Sequence, residues 1–203
     1  MPRQQQSNRR RDGDASGILP HLSPEESTAV LDHLIKRHRE LRAEAEEFAA
    51  TLVSSQSIDE IASAVYEAVK AVDLKALNTR AGRHSWGYME PSEAAWELLD
   101  ESIEEWVEDM KRMANLGFVS AAETVCAGIV AGLYQATNAQ RDGALGWAPD
   151  FPIEESGHVL EELLRSSKAT EKRATGERPL ATLTDHTPEW ADPLRGAVHA
   201  CDK

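Results

Sequence analysis

Residues 91–134 read PSEAAWELLDESIEEWVEDMKRMANLGFVSAAETVCAGIVAGLY, and this stretch decides the fold class. Large apolar residues recur in its first half at alternating steps of three and four. They are Trp96, Leu99, Ile103, Trp106, Met110 and Met113. Such spacing gives a helix one apolar face and is typical of helices that pack at a small crossing angle. The sequence therefore predicts a helix over about 91–116 with this face in the core.

The residues that follow predict a tight reversal of the chain. Gly117 stands where helices often end on a left-handed residue, and Phe118 can fold back onto the last turn. Ser120 and Glu123 have the spacing of a capping box, in which each side chain bonds the backbone of the other. We expect a second helix over about 121–136, antiparallel to the first.

Small residues on this second helix predict close packing. Gly128 and Gly132 lie one turn apart and would form a notch at which another backbone approaches closely. Cys126 lies between apolar neighbours and is expected to be a small core residue, not a nucleophile.

Outward from this pair, two more capping boxes mark helix starts, at Ser23–Glu26 and at Ser57–Glu60. Apolar residues recur with helical period behind each box and in two further segments. The predicted helices there span about 24–38, 40–54, 58–72 and 152–165. No segment predicts a strand convincingly. The fold class is therefore all-α: an antiparallel helical bundle or a short helical-repeat stack of about six helices.

Composition divides the chain into three parts. Residues 1–20 hold four arginines and little that could be buried, so they are expected to be a disordered basic arm. Residues 21–165 form the predicted helical domain. Residues 166–203 are expected to be a mostly disordered C-terminal tail, in which Trp190 and Leu194 could dock locally.

Charge and cysteine content narrow the function classes. The 203 residues carry a formal net charge of −13, which argues against general binding to nucleic acid or to anionic membranes. Contact with nucleic acid is expected at most through the arm. Cys126 and Cys201 cannot form a disulfide framework or a thiolate zinc site. The sequence shows no signal peptide and no apolar run of bilayer length, so we expect a cytoplasmic protein.

Catalytic and metal-binding signatures give little support for an enzyme. A helical di-iron site needs two Glu-x-x-His pairs, and only Glu155–His158 has this spacing; we expect that pair to lie on a solvated face. Phosphate-binding loops and hydrolase nucleophile signatures are absent. We expect no enzyme activity, no metal and no cofactor, with an enzyme or metal-binding protein of unknown reaction kept as an alternative.

The predicted 91–116 helix contains eight acidic residues and only two basic ones, Lys111 and Arg112. Such a run is usually the solvated side of an amphipathic helix. It also leaves open an acidic inhibitor or nucleic-acid mimic that occupies the basic site of another protein.

Two connections combine glycine, proline and large aromatic residues, at 81–91 and 143–152. Aromatic and cationic side chains of this kind dominate interface hot spots. The candidate partner-binding residues are Arg83, His84, Trp86, Tyr88, Trp147 and Phe151. The alternative is that the same rings cap the ends of the helical core.

The segments Arg80–Arg83, Trp86–Pro91, Glu93–Leu99, Gly132–Tyr134 and Trp147–Pro152 together resemble an uncharacterised group of bacterial helical proteins. That group is similar to the helical regions that accompany SWIM-type zinc fingers. The resemblance covers about residues 25–165 and implies a helical fold with no catalytic residues. The zinc finger itself has no ligand set here, because the chain has two cysteines.

Together these observations predict a non-enzymatic helical scaffold or adaptor. It would bind a protein partner through the aromatic loops and a helical groove. The sequence leaves the oligomeric state open.

Overall fold

The computed structural model describes residues 17–85, 87–137, 143–166, 180–182 and 186–200 and shows an all-α fold. The helices are α1 (Pro24–Arg37), α2 (Leu41–Val53), α3 (Ile58–Lys70), α4 (Leu74–Arg80), α5 (Pro91–Leu116), α6 (Val119–Thr137), α7 (Phe151–Ser166) and α8 (Ala191–Ala200). Two short strands, β1 (Gly82–His84) and β2 (Gly87–Met89), pair antiparallel between α4 and α5. One-turn 3₁₀ helices span Leu19–His21, Gly143–Gly146 and Pro188–Trp190.

The chain forms two compact units that divide between Ala49 and Ala50, within the predicted 21–165 domain. The first unit contains α1 and most of α2. The predicted capping box starts α1: the Glu26 N–H donates to the Ser23 hydroxyl at 3.2 Å, and the Ser23 N–H donates to the Glu26 carboxylate at 2.8 Å. Although both helices are amphipathic, none of their residues, all of which the structure describes, is buried.

Helix α6 is the centre of the second unit, packed by α3, α5 and α7. Its length and its mean hydropathy of 1.2 would also suit a membrane span, but 72% of that window is buried inside the protein. Cys126 is fully buried, as the sequence predicts, and burial raises the pKa of its thiol. The helix therefore has the burial of a core helix.

The predicted apolar face of α5 is confirmed as core. Leu99, Ile103 and Met110 are fully buried, and the two tryptophans of the same face are partly buried against the core. The predicted helix end is also confirmed: Gly117 has φ +88°, and the Phe118 N–H donates to the Met113 carbonyl at 2.9 Å.

One predicted helix start is wrong. The Ser57–Glu60 capping box forms, but α6 begins at Val119, so Ser120 already lies inside the helix. Glu123 is buried in the second turn. The Schellman turn at Gly117 starts the next helix earlier than the side-chain signal suggests.

The expectation of a mostly disordered C-terminal tail is wrong for residues 186–200, which contain a helix that packs on the rest of the chain. Helix α8 packs on α7, and Leu194 is buried there. The Trp190 ring meets the Tyr134 ring of α6 edge-on, with centroids 5.1 Å apart. Residues 186–200 therefore belong to the folded unit, and the expected local docking of Trp190 and Leu194 is confirmed. The remainder of the predicted tail and residues 1–16 of the arm lie largely outside the described residues.

Candidate functional site

The β1–β2 hairpin has two different faces because side chains alternate along a strand. On the inner face, Met89 is buried in the core, and the His84 ring donates from Nε2 to the Arg80 carbonyl at 2.7 Å. On the outer face, Arg83 lies directly opposite Tyr88, and both are exposed. Cross-strand partners lie on one face with Cβ atoms about 5 Å apart. The hairpin thus presents one arginine–tyrosine pair.

Glycines allow this hairpin to form at both ends of its ladder. Gly82 has φ +107° and Gly87 has φ +151°, which are backbone conformations that other residues rarely adopt. Each strand is only three residues long. This is why periodicity along the sequence did not predict the hairpin: three residues are too few to show alternation.

An ion-pair cluster fixes the helix that precedes the hairpin. The Arg80 guanidinium donates to Glu97 at 3.0 Å and to both carboxylate oxygens of Glu101 at 2.9 Å. These carboxylates raise the pKa of Arg80, and the guanidinium lowers the pKa of Glu101. Ion pairs between exposed or half-exposed side chains such as these add little stability individually. The bidentate contact of Arg80 with Glu101, however, sets the orientation of α4 against α5.

A shallow groove of about 600 Å³ lies beside this cluster. Its walls come from α4, from the hairpin and from one residue of α5. The lining residues are Asp73, Lys75, Ala76, Thr79, Arg80, His84 and Leu98. Most of the wall is therefore contributed by one face of α4, whose N-terminus is capped by the Asp73 carboxylate accepting from the Ala76 N–H at 2.8 Å.

The structure separates the two predicted aromatic loops. Trp147 is 51% exposed, and the 3₁₀ turn before it is held by the Ala144 N–H donating to the Val72 carbonyl at 3.0 Å. That turn is anchored just before α4, whereas the hairpin follows α4. A helix of seven residues is about 10 Å long, so the loops attach at opposite ends of this short helix.

The six candidate residues accordingly divide into groups. Arg83, Tyr88 and Trp147 are exposed, with Tyr88 at 60%. His84 is half-buried on the groove wall. The prediction of an accessible Phe151 is wrong, because its ring is fully buried edge-on against Trp96 with centroids 5.1 Å apart. Trp86 lies outside the described residues.

Apart from His84, the groove residues were not predicted from the sequence, above all Arg80 and Lys75. The sequence signals for α4, the helix that carries both residues, were present but weak. Asp73 is a good N-cap residue, and Arg80 lies seven positions later, which marks a helix of two turns. A helix this short carries too few apolar residues to show a period, although Leu77 is buried.

A second cluster joins α5 and α7 through Asp100, Glu155 and His158. His158 Nδ1 lies 3.3 Å from a Glu155 carboxylate oxygen. The expectation that this pair lies on a solvated face is wrong for Glu155, which is buried, and correct for the exposed His158 ring. Among the described residues, no group of three or more His, Cys, Asp or Glu could hold a metal ion.

Burial raises the pKa of Glu155, and the charge of Asp100 raises it further, while His158 acts in the opposite direction. A carboxyl whose pKa is higher in the folded state destabilises the fold once it ionises. This cost is absent below the unfolded value, about 4.3, and is complete above the folded pKa. We expect Glu155→Gln to raise the thermal midpoint at pH 7 and to have little effect near pH 4.

Glu154→Gln is the matched control, since Glu154 is the exposed neighbour on the same helix turn. Thermal melts of both variants between pH 4 and pH 8 measure the effect. A Glu155→Gln variant that is less stable than the wild type at pH 7 would show that its contact with His158 outweighs the burial.

Comparisons with known proteins assign this chain to no family. The resemblance to the helical regions that accompany SWIM-type zinc fingers therefore stays a prediction. No protein-family model, curated protein or solved structure gives a significant match to the chain.

Proposed function

We propose that the chain is a non-enzymatic adaptor that binds a protein partner through the outer face of the β1–β2 hairpin and the adjoining groove. The observation that carries the proposal is the exposed Arg83–Tyr88 pair on a hairpin whose other face is anchored. Tyrosine and arginine are, together with tryptophan, the residue types enriched at interface hot spots. A fixed backbone also lowers the entropy lost on binding.

The chemistry of this surface favours a partner segment with acidic and aromatic side chains. Arg83 can pair with a carboxylate or stack on a ring, and Tyr88 offers a ring and a hydroxyl. Lys75 lines the groove beside the hairpin. The Arg80 charge is already matched by Glu97 and Glu101. Lys75 and Arg83 are therefore the cations that we assign to the partner.

The acidic inhibitor remains the second candidate, because Glu104 and Glu105 are exposed on α5. Several other acidic residues of α5 have partners within the fold. Glu101 pairs with Arg80, Glu108 with Lys111 at 2.7 Å, and Asp109 with Arg112 at 2.9 Å. This internal neutralisation reduces the negative electrostatic potential that a basic protein would meet, so the hairpin is favoured over the acidic face of α5 as the binding surface.

Affinity capture from the native host tests the proposal with three baits: the wild type, an Arg83→Ala/Tyr88→Ala variant and Leu116→Ala. Leu116 is the control because it is equally exposed, at 61%, at the far end of α5. A specific partner is one retained by the wild type and Leu116→Ala and lost by the hairpin variant. Purified, it should bind the hairpin variant at least about 30-fold more weakly, the effect of losing one hot spot.

Stability and salt dependence complete the test. The hairpin variant should keep the wild-type melting temperature, because both side chains are exposed. An adaptor contact based on aromatic burial should weaken only modestly between low and high salt, whereas an acidic inhibitor should lose most of its affinity. A partner that binds all three baits equally would contradict the hairpin proposal. A partner that the hairpin variant still retains at low salt, and that every bait loses at high salt, would instead favour the acidic inhibitor.

A further inference from the structure

Residues 186–200, which we call the C-terminal strap, lie on a surface formed by α6 and α7. The strap consists of the 3₁₀ turn Pro188–Trp190, which runs directly into α8. Trp190 and Leu194 are both buried, the first with its ring edge-on to Tyr134 of α6 and the second where α8 packs on α7. The chain thus already seats a short helix on this surface, with an aromatic residue at its start and a leucine four positions later.

The surface under the strap includes part of α7. The buried residues of α7 occur in adjacent pairs one turn apart, so they cover more than half of the helix circumference. They are Phe151, Pro152, Glu155, Ser156, Val159, Leu160, Leu163 and Leu164. One packing partner usually covers a stripe of about 100°, and α5, α6 and α8 all pack on α7. Part of this largely apolar face is therefore kept from water by the strap.

The strap helix is weak by its own sequence. Its 10 residues are fewer than the about 12–15 that an isolated helix needs in water. Gly196 lies inside it, although a Cβ added there would meet nothing within 4 Å and alanine is the better helix former. The glycines of α6, by contrast, are required by the close approach of α3. Packing therefore does not explain Gly196, and the helix depends on its docked anchors.

The polar contact of the strap helix does not attach it to α7. Arg195 donates to Asp192 at 2.9 Å, and both side chains are exposed on α8 itself. Segments held by few buried side chains open locally at a lower free energy than the whole domain. Helix α6, which is buried along most of its length, belongs to the other extreme. The strap is thus the element whose opening leaves the centre of the fold intact.

We propose that the strap opens while α3–α7 stay folded, and that the uncovered α6–α7 surface binds a short amphipathic helix of a partner protein. That helix carries an aromatic residue at its start and a leucine four positions later, because the surface accepts this pattern from the strap. A helix in an apolar groove is a common mode of peptide recognition. The strap competes in cis and lowers the apparent affinity by the fraction of molecules that are open. The Arg83–Tyr88 hairpin takes no part, so the inference stands independently of the proposed function.

Hydrogen exchange of the full wild-type chain tests the opening. We expect the backbone amides of α8 to exchange at least about tenfold faster than those of α6 and α7, since local opening exposes the first and only global unfolding exposes the others. Gly196→Ala should slow the exchange of α8 and leave that of α6 unchanged. Exchange of α8 at the rate of α6 would overturn the proposal, because the strap would then be a fixed part of the core.

A fluorescent peptide of residues 186–200 tests the docking surface. It should bind the full-length Trp190→Ala/Leu194→Ala variant at least about tenfold more tightly than the wild type, in which the strap occupies the surface. Adding Tyr134→Ala to that variant should weaken the binding, because the ring that meets Trp190 is lost. The matched control, Asp192→Ala/Arg195→Ala, changes exposed residues of the same helix and should bind the peptide like the wild type.

Two results of the peptide experiment would overturn the proposal. One is a Trp190→Ala/Leu194→Ala variant that keeps its helical circular dichroism and does not bind the peptide, since the surface would then hold no separate helix. The other is a variant that loses the helices α3–α7, because the fold would then require the strap.

Discussion

Replacing Phe151 with alanine is expected to cost about 3–5 kcal/mol of folding free energy, the usual loss for a fully buried phenylalanine. Its ring is buried at the start of α7 and lies edge-on to Trp96 of α5. The substitution would leave a cavity where these helices meet. Since domains of this size are stable by only about 5–15 kcal/mol, chemical denaturation should show a much lower midpoint.

Trp147→Ala is the control that separates packing from surface. Trp147 belongs to the same aromatic connection but is half exposed, so its replacement should change the denaturation midpoint little. If Trp147→Ala destabilised the protein as much as Phe151→Ala, the Trp147 ring would be a cap of the core. The interpretation of this loop as a binding surface would then fail for Trp147.

The contrast between these two rings shows what the sequence could not decide. Both stand in one segment rich in glycine, proline and aromatics, and no periodicity distinguishes them. Whether each ring is buried depends on α5, because the Trp96 ring provides the surface that Phe151 covers. Only the three-dimensional placement of a helix more than 50 positions earlier makes one ring core and the other surface.

Long helices were predictable because their signals are local. The Ser23 and Ser57 caps, the Gly117 stop and the face of α5 each depend on residues within one or two turns. The short elements, α4 and the hairpin, could not be predicted in this way, because they are held by contacts between residues that are far apart in the sequence. Arg80 joins Glu101, and Met89 enters the core.

The amphipathic pattern alone also did not predict which helix faces are buried. The apolar faces of α1 and α2 satisfy the same periodicity as that of α3, yet only α3 is buried. Glu155 shows the reverse case: a charged residue on the inner side of α7, at a position that its neighbours Phe151 and Val159 force inward. Periodicity predicts that a helix has two faces, and the packing partner decides their burial.

Helix α3 could be identified as the partner of the glycine notch only from the structure. The sequence predicts a close approach at Gly128 and Gly132, and this is confirmed. A Cβ added at Gly132 would lie 2.6 Å from the Ala62 carbonyl oxygen and 2.8 Å from the Val65 Cβ. One added at Gly128 would lie 2.6 Å from the Ile61 Cβ. These distances are below any ordinary contact, so the two backbones would have to separate.

Gly132→Ala is therefore expected to destabilise the protein by about 1–3 kcal/mol, as overpacking of a filled core does, although alanine is the better helix former by about 1 kcal/mol. The bulkier Gly132→Val should prevent stable folding of the second unit. Gly196→Ala on α8 is the matched control, because its added Cβ meets nothing within 4 Å. That change should be neutral or stabilising. Urea denaturation of both alanine variants measures the difference, and equal midpoints would mean that α3 and α6 yield at the notch without loss of packing.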